Sequence, residues 1–462
     1  MHLKKRIIAV AAIFLLGAGI LYGSTLKMKD KASETASFSL FDRKQTIYFW
    51  YDDENLSNYV NSAAVTFGER EDAHVIPVLV SGSEYLETIN KASLEEEQMP
   101  DAYIISHDSL EKAYLAGLAT EVEDAAGILN ESHFPATALS AVSYRGKVVA
   151  YPLAFDTSAL IYNETYLSQW AAQIAEREVL EDGQEDDAPD VSDSGIDVDE
   201  GILAQKTQEY FEAAIPRTVD DILNIADTFD VPPGVEGVME WDITDIFFNY
   251  WMVGNYLVVG GESGDDRNNI SIDNGEAIAC LEKYKELNQF FYIEAKEVNY
   301  QDVIRKFIDG KIVFTIATTD VVAKLEEAKE NGEITFDYGV TTMPDVSDEL
   351  KSRSMSVTDT VVINGYSKNK ELANKFAAYL VDECAGTVYE KTGHASAALG
   401  ADTENGALQI FKLEYEKSIP LPKMMNTGNF WMLLERVFTK VWNDEDAATL
   451  LQELADIIVS QI

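Results

Sequence analysis

The chain contains few cysteines and few histidines, and it lacks the common catalytic motifs. Its 462 residues include 2 cysteines, so no disulfide framework supports the fold. The 5 histidines show no metal-ligand spacing, and there is no G-x-G-x-x-G after a strand, no P-loop, no H-E-x-x-H and no G-x-S-x-G. We therefore expect no cofactor, no bound metal and no catalytic residues. Cys280 shares a helical stripe with Tyr284 and Leu287, which predicts a buried thiol.

Basic residues are also scarce relative to acidic ones. The chain has 36 Lys and Arg against 80 Asp and Glu, which gives a formal net charge of −44. Because nucleic-acid binding depends on neutralising phosphates with cationic side chains, this charge excludes nucleic acid as a partner. The same charge disfavours contact with anionic lipid head groups and keeps a protein soluble.

A short apolar run from Ile7 to Tyr22 lies near the N-terminus, directly after Lys4-Lys5-Arg6. This layout is typical of a secretory signal or of an uncleaved membrane anchor, and we assign residues 1–26 to it. The polar residues 27–44 are predicted to be a linker. Because the first cysteine is Cys280, a lipid anchor on an N-terminal cysteine is excluded. Either outcome places the protein outside the cytoplasm, tethered by the helix or secreted after cleavage.

The length of the chain predicts two lobes, since single hydrophobic cores stop growing beyond roughly 250 to 300 residues. Residues 47–51, 75–80 and 102–105 have the composition of buried strands, and residues 86–94 have that of a helix. Apolar residues at helical spacing follow the first strand: Leu56, Tyr59, Val60, Ala63 and Phe67. This β-α-β-α-β series predicts a largely parallel sheet with right-handed crossovers.

Residues 141–167 have the pattern of a crossing between two lobes. A strand is predicted up to Tyr151, where Pro152 removes a ladder donor and is expected to end regular pairing. A short polar crossing at 155–158 follows, and 159–163 resumes as a strand of a second sheet.

An acidic segment follows this predicted crossing. Residues 176–200 contain twelve acidic residues and one basic residue, Arg177. We assign 176–205 to an insertion that forms a solvated acidic loop, because it has too little apolar area to offset the entropy of ordering. Four carboxylates offer calcium ligands but lack the spacing of an EF-hand: Asp193, Asp197, Asp199 and Glu200.

Several short motifs resemble those of the extracellular solute-binding proteins of bacterial ABC importers, in particular the sugar-type, maltose-binding family. The markers are, in order, Pro100-Asp101, His107-Asp108, residues 141–167, Tyr300, residues 307–311, residues 366–373 and Phe430-Trp431. The resemblance covers most of residues 45–460. It implies an α/β, two-lobed, periplasmic-binding-protein-like fold of type II, in which each lobe is a mostly parallel sheet flanked by helices.

The resemblance also implies an organisation and a function. The first lobe would comprise 45–154 and 341–398, and the second lobe 155–340 and 399–462, joined by a hinge of three crossings. Such a protein captures a small solute, here a saccharide, by hinge closure and delivers it to ABC permease subunits in the membrane.

The same resemblance proposes the ligand contacts. Trp431 and Tyr300 would offer flat apolar faces to a sugar ring. Carboxylates and one hydroxyl would bind its hydroxyl groups: Asp53, Glu54, Asp108, Asp156, Asp242 and Thr244. A simpler interpretation is that each carboxylate is a solvated surface group. In the same way, Trp431 could belong to an apolar helix face that packs in the core.

Four positions depart from the pattern of maltodextrin binders. Ile105 and Asp320 stand where tryptophans are expected, and Ser109 and Glu435 where arginines are expected. A linear maltodextrin is therefore a poor guess for the ligand. A different saccharide is favoured, while an amine, a cation or another small solute also suits an acidic cleft.

Two alternative functions, from other classes of protein, remain open from the sequence. A membrane-tethered ligand sensor or scaffold of the same fold would contact a partner protein. A glycoside hydrolase would need two carboxylates held at a defined separation with one raised pKa, which a sequence cannot show.

Overall fold

The N-terminal part of the chain alternates strands and helices, as the sequence predicts. The computed structural model describes residues 44–82, 84–95, 98–182, 200–261, 263–291, 293–294, 298–424 and 428–461. Helices α1 (Ser57–Arg70) and α2 (Tyr85–Glu95) connect the parallel strands β1 (Thr46–Tyr51), β2 (His74–Leu79) and β3 (Ala102–Ser106). The apolar stripe predicted around α1 is buried against this sheet, so the β-α-β-α-β prediction is confirmed.

The remaining elements follow in chain order. They are α3 (Leu110–Leu115), α4 (Ala136–Ala141), β4 (Ser143–Tyr144), β5 (Lys147–Val148), β6 (Ala150–Asn163), α5 (Glu164–Asp182), α6 (Glu200–Ala213), α7 (Val219–Thr228), β7 (Gly237–Met239), β8 (Val258–Val259), β9 (Ile270–Ser271), α8 (Gly275–Phe291), α9 (Tyr300–Ile308), β10 (Ile312–Thr318), α10 (Val321–Glu330), β11 (Tyr338–Thr341), β12 (Met355–Ile363), α11 (Lys370–Val381), α12 (Val388–Thr392), β13 (Ala395–Ser396), α13 (Gly406–Lys417), β14 (Ile419–Pro420), α14 (Gly428–Trp442) and α15 (Ala447–Gln461). Short 3₁₀ turns occur at Glu54–Leu56, His107–Ser109, Ile246–Phe248, Tyr250–Met252 and Ala385–Thr387.

Strand β6 belongs to both halves of the main sheet. Its first part, residues 150–157, pairs antiparallel with β12, and its second part, residues 158–163, pairs antiparallel with β10 and β11. The order along the sheet is β2-β1-β3-β12-β6-β10-β7, in which the outer pairs β1–β2, β1–β3 and β7–β10 are parallel. The two halves of the sheet therefore share one continuous strand.

The prediction that Pro152 ends regular pairing is wrong. Strand β6 continues through this residue, and the register with β12 shifts at this point, because Asp359 pairs with Ala154 while Thr360 pairs with Pro152. A register irregularity accommodates the missing N–H of a proline inside a sheet. The predicted polar crossing at 155–158 is likewise part of the strand.

The acidic insertion is helical where the structure describes it, so the prediction of a loop is wrong for residues 176–182 and 200–205. Helix α5 extends to Asp182 and α6 begins at Glu200. Glu178 accepts hydrogen bonds from the Lys206 ammonium at 2.9 Å and from the Tyr210 hydroxyl at 2.8 Å, which ties the two helices together. Residues 183–199, which include three of the four candidate calcium ligands, lie outside the described residues.

The cysteine prediction is confirmed, because Cys280 is fully buried on α8 and both thiols are free. In the part of the chain that the structure describes, no helix is both long and apolar enough to cross a membrane. The predicted leader at 1–26 and the linker at 27–44 lie outside the described residues, apart from Lys44.

Candidate functional site

A cavity of about 500 Å³ opens beside the middle of β6, where this strand passes from one half of the sheet to the other. We call it the β6 cavity. Its wall is formed by Phe155, Asp156, Asp245, Ile246, Phe247, Phe248, Thr318, Met355, Val357, Asp359, His394, Leu421 and Trp431. Most of these side chains are apolar, and the polar ones are three aspartates, a threonine and a histidine. This composition suits a small solute that has both apolar faces and polar groups.

The aromatic part of the wall is held by ring contacts behind it. The Trp431 ring packs edge-on against Tyr250, with centroids 5.6 Å apart, and against Phe430 at 4.8 Å. Tyr250 and Phe430 are buried, whereas Trp431 is only partly buried. The neighbouring segment forms two 3₁₀ turns, Ile246–Phe248 and Tyr250–Met252, and Phe248 of the first turn lies in the wall. Trp431 is therefore a pre-oriented ring with one part free to contact a ligand.

Asp156 lies on the shared strand β6 and lines the cavity. Its Oδ1 atom accepts hydrogen bonds from the Thr319 backbone N–H at 2.9 Å and from the Thr319 hydroxyl at 2.7 Å. Burial raises the pKa of Asp156 to about 6; the Thr319 hydrogen bonds oppose this rise, and the charges of Asp320 and Asp359 add to it. Since strand β6 carries residues of both halves of the sheet, Asp156 is held at their junction.

Asp359, on β12, is a cavity residue that sequence reasoning missed. Burial raises its pKa to about 6; the charge of His394 opposes the rise, and the charges of Asp53, Asp52 and Asp108 add to it. A signal was present in the sequence, because Asp359 is the one charged residue of the strand Met355–Ile363, and a carboxylate at such a position needs an explanation.

His394 is the second cavity residue that the sequence analysis did not assign to the site. Its Nε2 lies 2.7 Å from Oδ2 of Asp53, whose Oδ1 accepts from the Asn55 backbone N–H at 2.9 Å. Gly393, in the left-handed conformation at φ 76°, ends α12 just before it. Asp53 therefore lies behind His394 and orients the ring, and does not itself line the cavity.

Tyr300 lies one layer behind the aromatic wall. Its ring stacks on Phe248 with centroids 4.8 Å apart, and its hydroxyl donates to Oδ1 of Asp320 at 2.7 Å. The ammonium of Lys324 lies 4.9 Å from the same ring and pairs with Asp320 at 2.5 Å. Tyr300 thus supports the wall through Phe248.

Asp242 and Thr244 also lie behind the wall. Oδ1 of Asp242 accepts from the Thr244 backbone N–H and hydroxyl, at 2.9 and 2.6 Å, and Oδ2 accepts from the Tyr300 backbone N–H at 2.9 Å. Both oxygens of this buried carboxylate are therefore used within the protein, and neither residue lines the cavity. Their direct contact with a ligand stays a prediction.

Glu54 and Asp108 are exposed and do not line the β6 cavity either. Glu54 begins the 3₁₀ turn after β1, and Asp108 lies in the turn after β3, where its charge acts on Asp359. Asp108 thus follows the carboxyl end of β3, and ligand groups tend to gather at such strand ends in open α/β sheets. Ligand contact by these two residues also remains a prediction.

We expect Asp359→Asn to raise the free energy of unfolding at pH 7 to 8 by about 1 to 3 kcal/mol. The folded pKa near 6 lies above the ordinary value of 3.8, so the ionised carboxylate destabilises the folded state above pH 6. The gain should shrink as the pH falls from 6 to 4, where the wild-type carboxyl group becomes protonated in the folded state. Urea unfolding of both proteins between pH 4 and pH 8 measures this difference in the free energy of unfolding. Asp227→Asn, an exposed site on α7, serves as the control, and an unchanged or lower stability of the Asp359 variant at pH 7 would contradict the prediction.

Comparison with known proteins adds to this geometry. A family model described as "Bacterial extracellular solute-binding protein" matches residues 62–405. A solved cyclo/maltodextrin-binding protein complexed with maltotetraose is 17% identical, with a TM-score of 0.71 over 93% of this chain and 99% of that one. An extracellular solute-binding protein from Staphylococcus aureus in complex with maltose is 18% identical, with a TM-score of 0.71 over 91% and 99%. A maltose-binding periplasmic protein from Listeria monocytogenes, also in complex with maltose, is 18% identical, with a TM-score of 0.68 over 90% and 97%. These likenesses confirm the predicted two-lobed α/β fold.

Proposed function

The chain belongs to the bacterial extracellular solute-binding proteins, and on that basis we propose that it captures a carbohydrate-like solute in the β6 cavity and delivers it to an ABC importer. The observation that carries the proposal is the position of the cavity. It lies on the strand that both halves of the sheet share, and it combines the exposed part of an oriented tryptophan with carboxylates. Aromatic faces that stack on sugar rings and carboxylates that accept from sugar hydroxyls are the groups that saccharide recognition needs.

The proposed mechanism is closure of two lobes around the solute. Asp359 and His394 would act from the first lobe, Phe248 and Trp431 from the second, and Asp156 from the strand between them. A solute that contacts both sides only in the closed state has a higher affinity for that state, and so it shifts the population toward closure. The proposed lobes are residues 45–154 with 341–398, and 155–340 with 399–462.

We further propose that the protein works outside the cytoplasm as a binding protein without catalytic activity, next to permease subunits. Family membership supports the extracytoplasmic location. Residues 1–26 would either tether the protein to the membrane or be removed on secretion.

Thermal-shift screening of the purified protein against a library of mono- and oligosaccharides, followed by calorimetry, tests this function. We expect at least one saccharide to raise the melting temperature and to bind with one-to-one stoichiometry. Small-angle X-ray scattering should then show a smaller radius of gyration in the saturated protein, because closure brings the lobes together. A screen in which no saccharide binds, or a bound saccharide without compaction, would contradict the proposal.

A further inference from the structure

The ionisable side chains of the β6 cavity are mostly acidic. The ionisable side chains in its wall are Asp156, Asp245, Asp359 and His394, and no lysine or arginine of the described residues lines it. The imidazole of His394 contacts Asp53, and the nearby ammonium of Lys324 is already paired with Asp320. One helical turn after Trp431, Glu435 adds a further carboxyl group close to Asp245 and Asp242. An anionic solute would therefore be repelled, and a neutral one would leave this charge uncompensated.

Two of these carboxylates lie next to each other on one face of the sheet. Asp156 pairs with Val357, and Asp359 pairs with Ala154, in an antiparallel register that is regular between these pairs. Asp156 and Asp359 are therefore diagonal neighbours on the same face, a position in which side chains are within reach of each other. Both line the cavity, and the charge of Asp359 acts on Asp156.

The two carboxylates also retain free acceptor atoms. Thr319 occupies only Oδ1 of Asp156, and among the residues that the structure describes no donor bonds to Oδ2. Across the same part of the chain, no hydrogen bond reaches the carboxylate of Asp359. A partly buried carboxylate that has no hydrogen bond and lies beside a second carboxylate opposes folding, so a binding role offers the physical reason for keeping both.

We propose that the solute carries a protonated amine that binds between Asp156 and Asp359, so that the saccharide of the proposed function is an amino sugar. An ammonium group has three donors and no acceptor, which matches two carboxylates with free oxygens. The aromatic wall around Trp431 would contact the sugar ring that carries the amine. The sugar part of this inference rests on the proposed function, whereas the amine part rests on the charge and register of β6 and β12.

Calorimetry with three disaccharides that differ at the amine position tests the inference. The probes are chitobiose, with two free amines, its N,N′-diacetyl form, and cellobiose. We expect the protein at pH 6.5 to 7 to bind chitobiose about 10- to 100-fold more tightly than the other two, since charge-assisted hydrogen bonds discriminate by this amount. Asp359→Asn should abolish the preference for chitobiose over the two neutral disaccharides, and Asp227→Asn should preserve it. Circular dichroism and thermal unfolding confirm that each variant is folded.

Two opposite results separate this inference from the proposed function. Equal or tighter binding of the neutral disaccharides would overturn the amino-sugar inference and leave saccharide capture intact. Binding of 1,5-diaminopentane with no binding of any disaccharide or other saccharide would overturn both, because the cavity would then accept an amine without a sugar. A chitobiose preference that persists in the Asp359→Asn and Asp156→Asn variants would also overturn the proposed amine position.

Discussion

Replacing Trp431 by alanine is expected to weaken saccharide binding about 10- to 100-fold while the protein stays folded. Tyr250 and Phe430 hold the Trp431 ring edge-on, so the face it presents to the cavity is oriented before the ligand arrives. The variant loses this stacking surface and the exclusion of water that accompanies it. Titration calorimetry with the saccharide found in the screen measures the change.

Met432→Ala is the matched control for this experiment. Met432 follows Trp431 on the same helix, is 62% exposed and does not line the cavity. We expect it to leave the affinity within about twofold of wild type. Trp431→Phe should lie between wild type and the alanine variant, because it keeps a smaller apolar face. Equal affinities for wild type and Trp431→Ala would remove Trp431 from the site.

The second large effect concerns stability, and it arises at a buried histidine beside the site. His107, fully buried after β3, accepts at Nδ1 from the Thr358 backbone N–H at 3.0 Å, and its Nε2 lies 3.0 Å from the Leu421 carbonyl oxygen. Since Nδ1 is an acceptor, the proton is on Nε2 and donates to Leu421. The ring therefore joins β12 to the segment that follows β14.

We expect His107→Ala to lower the free energy of unfolding by about 3 to 5 kcal/mol. The substitution leaves the buried Thr358 N–H and the partly buried Leu421 carbonyl without these partners, and it opens a cavity at a fully buried position. Guanidinium unfolding at pH 7.5 measures the loss. His74→Ala, at an exposed position on β2, is the control and should change the stability by less than about 0.5 kcal/mol.

The pH dependence of this loss provides an independent check. Burial lowers the pKa of His107 to about 4, as does the charge of Lys423, while Asp108 opposes the change. A folded pKa below the ordinary value of 6.5 means that the unfolded chain binds more protons between pH 6.5 and 4, so this residue's contribution to stability falls as the pH falls. The difference in the free energy of unfolding between wild type and His107→Ala should therefore become smaller as the pH falls from 6.5 to 4. A difference that widens over this range would contradict a neutral, buried imidazole.

Asp156 and Asp359 have the opposite sign over nearly the same range. Their folded pKa values near 6 lie above the ordinary 3.8, so the folded state takes up protons first and gains stability as the pH falls from 6 toward 4. The pH dependence of the wild-type free energy of unfolding is thus a sum of opposing contributions from His107 and from the two aspartates. Comparing each single variant with the wild type isolates the contribution of that residue.

The site was only partly predictable from sequence. The resemblance to known binders pointed to Asp156 and Trp431, which line the β6 cavity, and to Asp53 and Tyr300, which lie directly behind it. It also pointed to Asp242, whose two oxygens are bonded within the protein. A sequence motif identifies a residue near a site, but the hydrogen bonds that occupy its atoms depend on the surrounding loops.

Asp359 and His394 were missed because their neighbours are distant along the chain. Asp359 lies at the cavity because β12 pairs with β6, which comes about two hundred residues earlier in the chain. His394 is held at the cavity by its contact with Asp53, which is also distant in sequence. The register between two such strands is set by the packing of whole elements. Helical or strand periodicity within one segment carries no information about it.

Local sequence by itself determined three features: the alternation of strands and helices in the N-terminal part, the buried stripe of α1 and the buried thiol of Cys280. The reason is that an apolar repeat of 2 or 3.6 residues selects which face of a strand or helix is buried. Composition also set the acidic charge. Only the tertiary structure decided that β6 runs unbroken through Pro152 and that two carboxylates from separate strands share one face of a cavity. Those features depend on long-range strand register, where one residue of slip would turn Asp359 to the other face of the sheet.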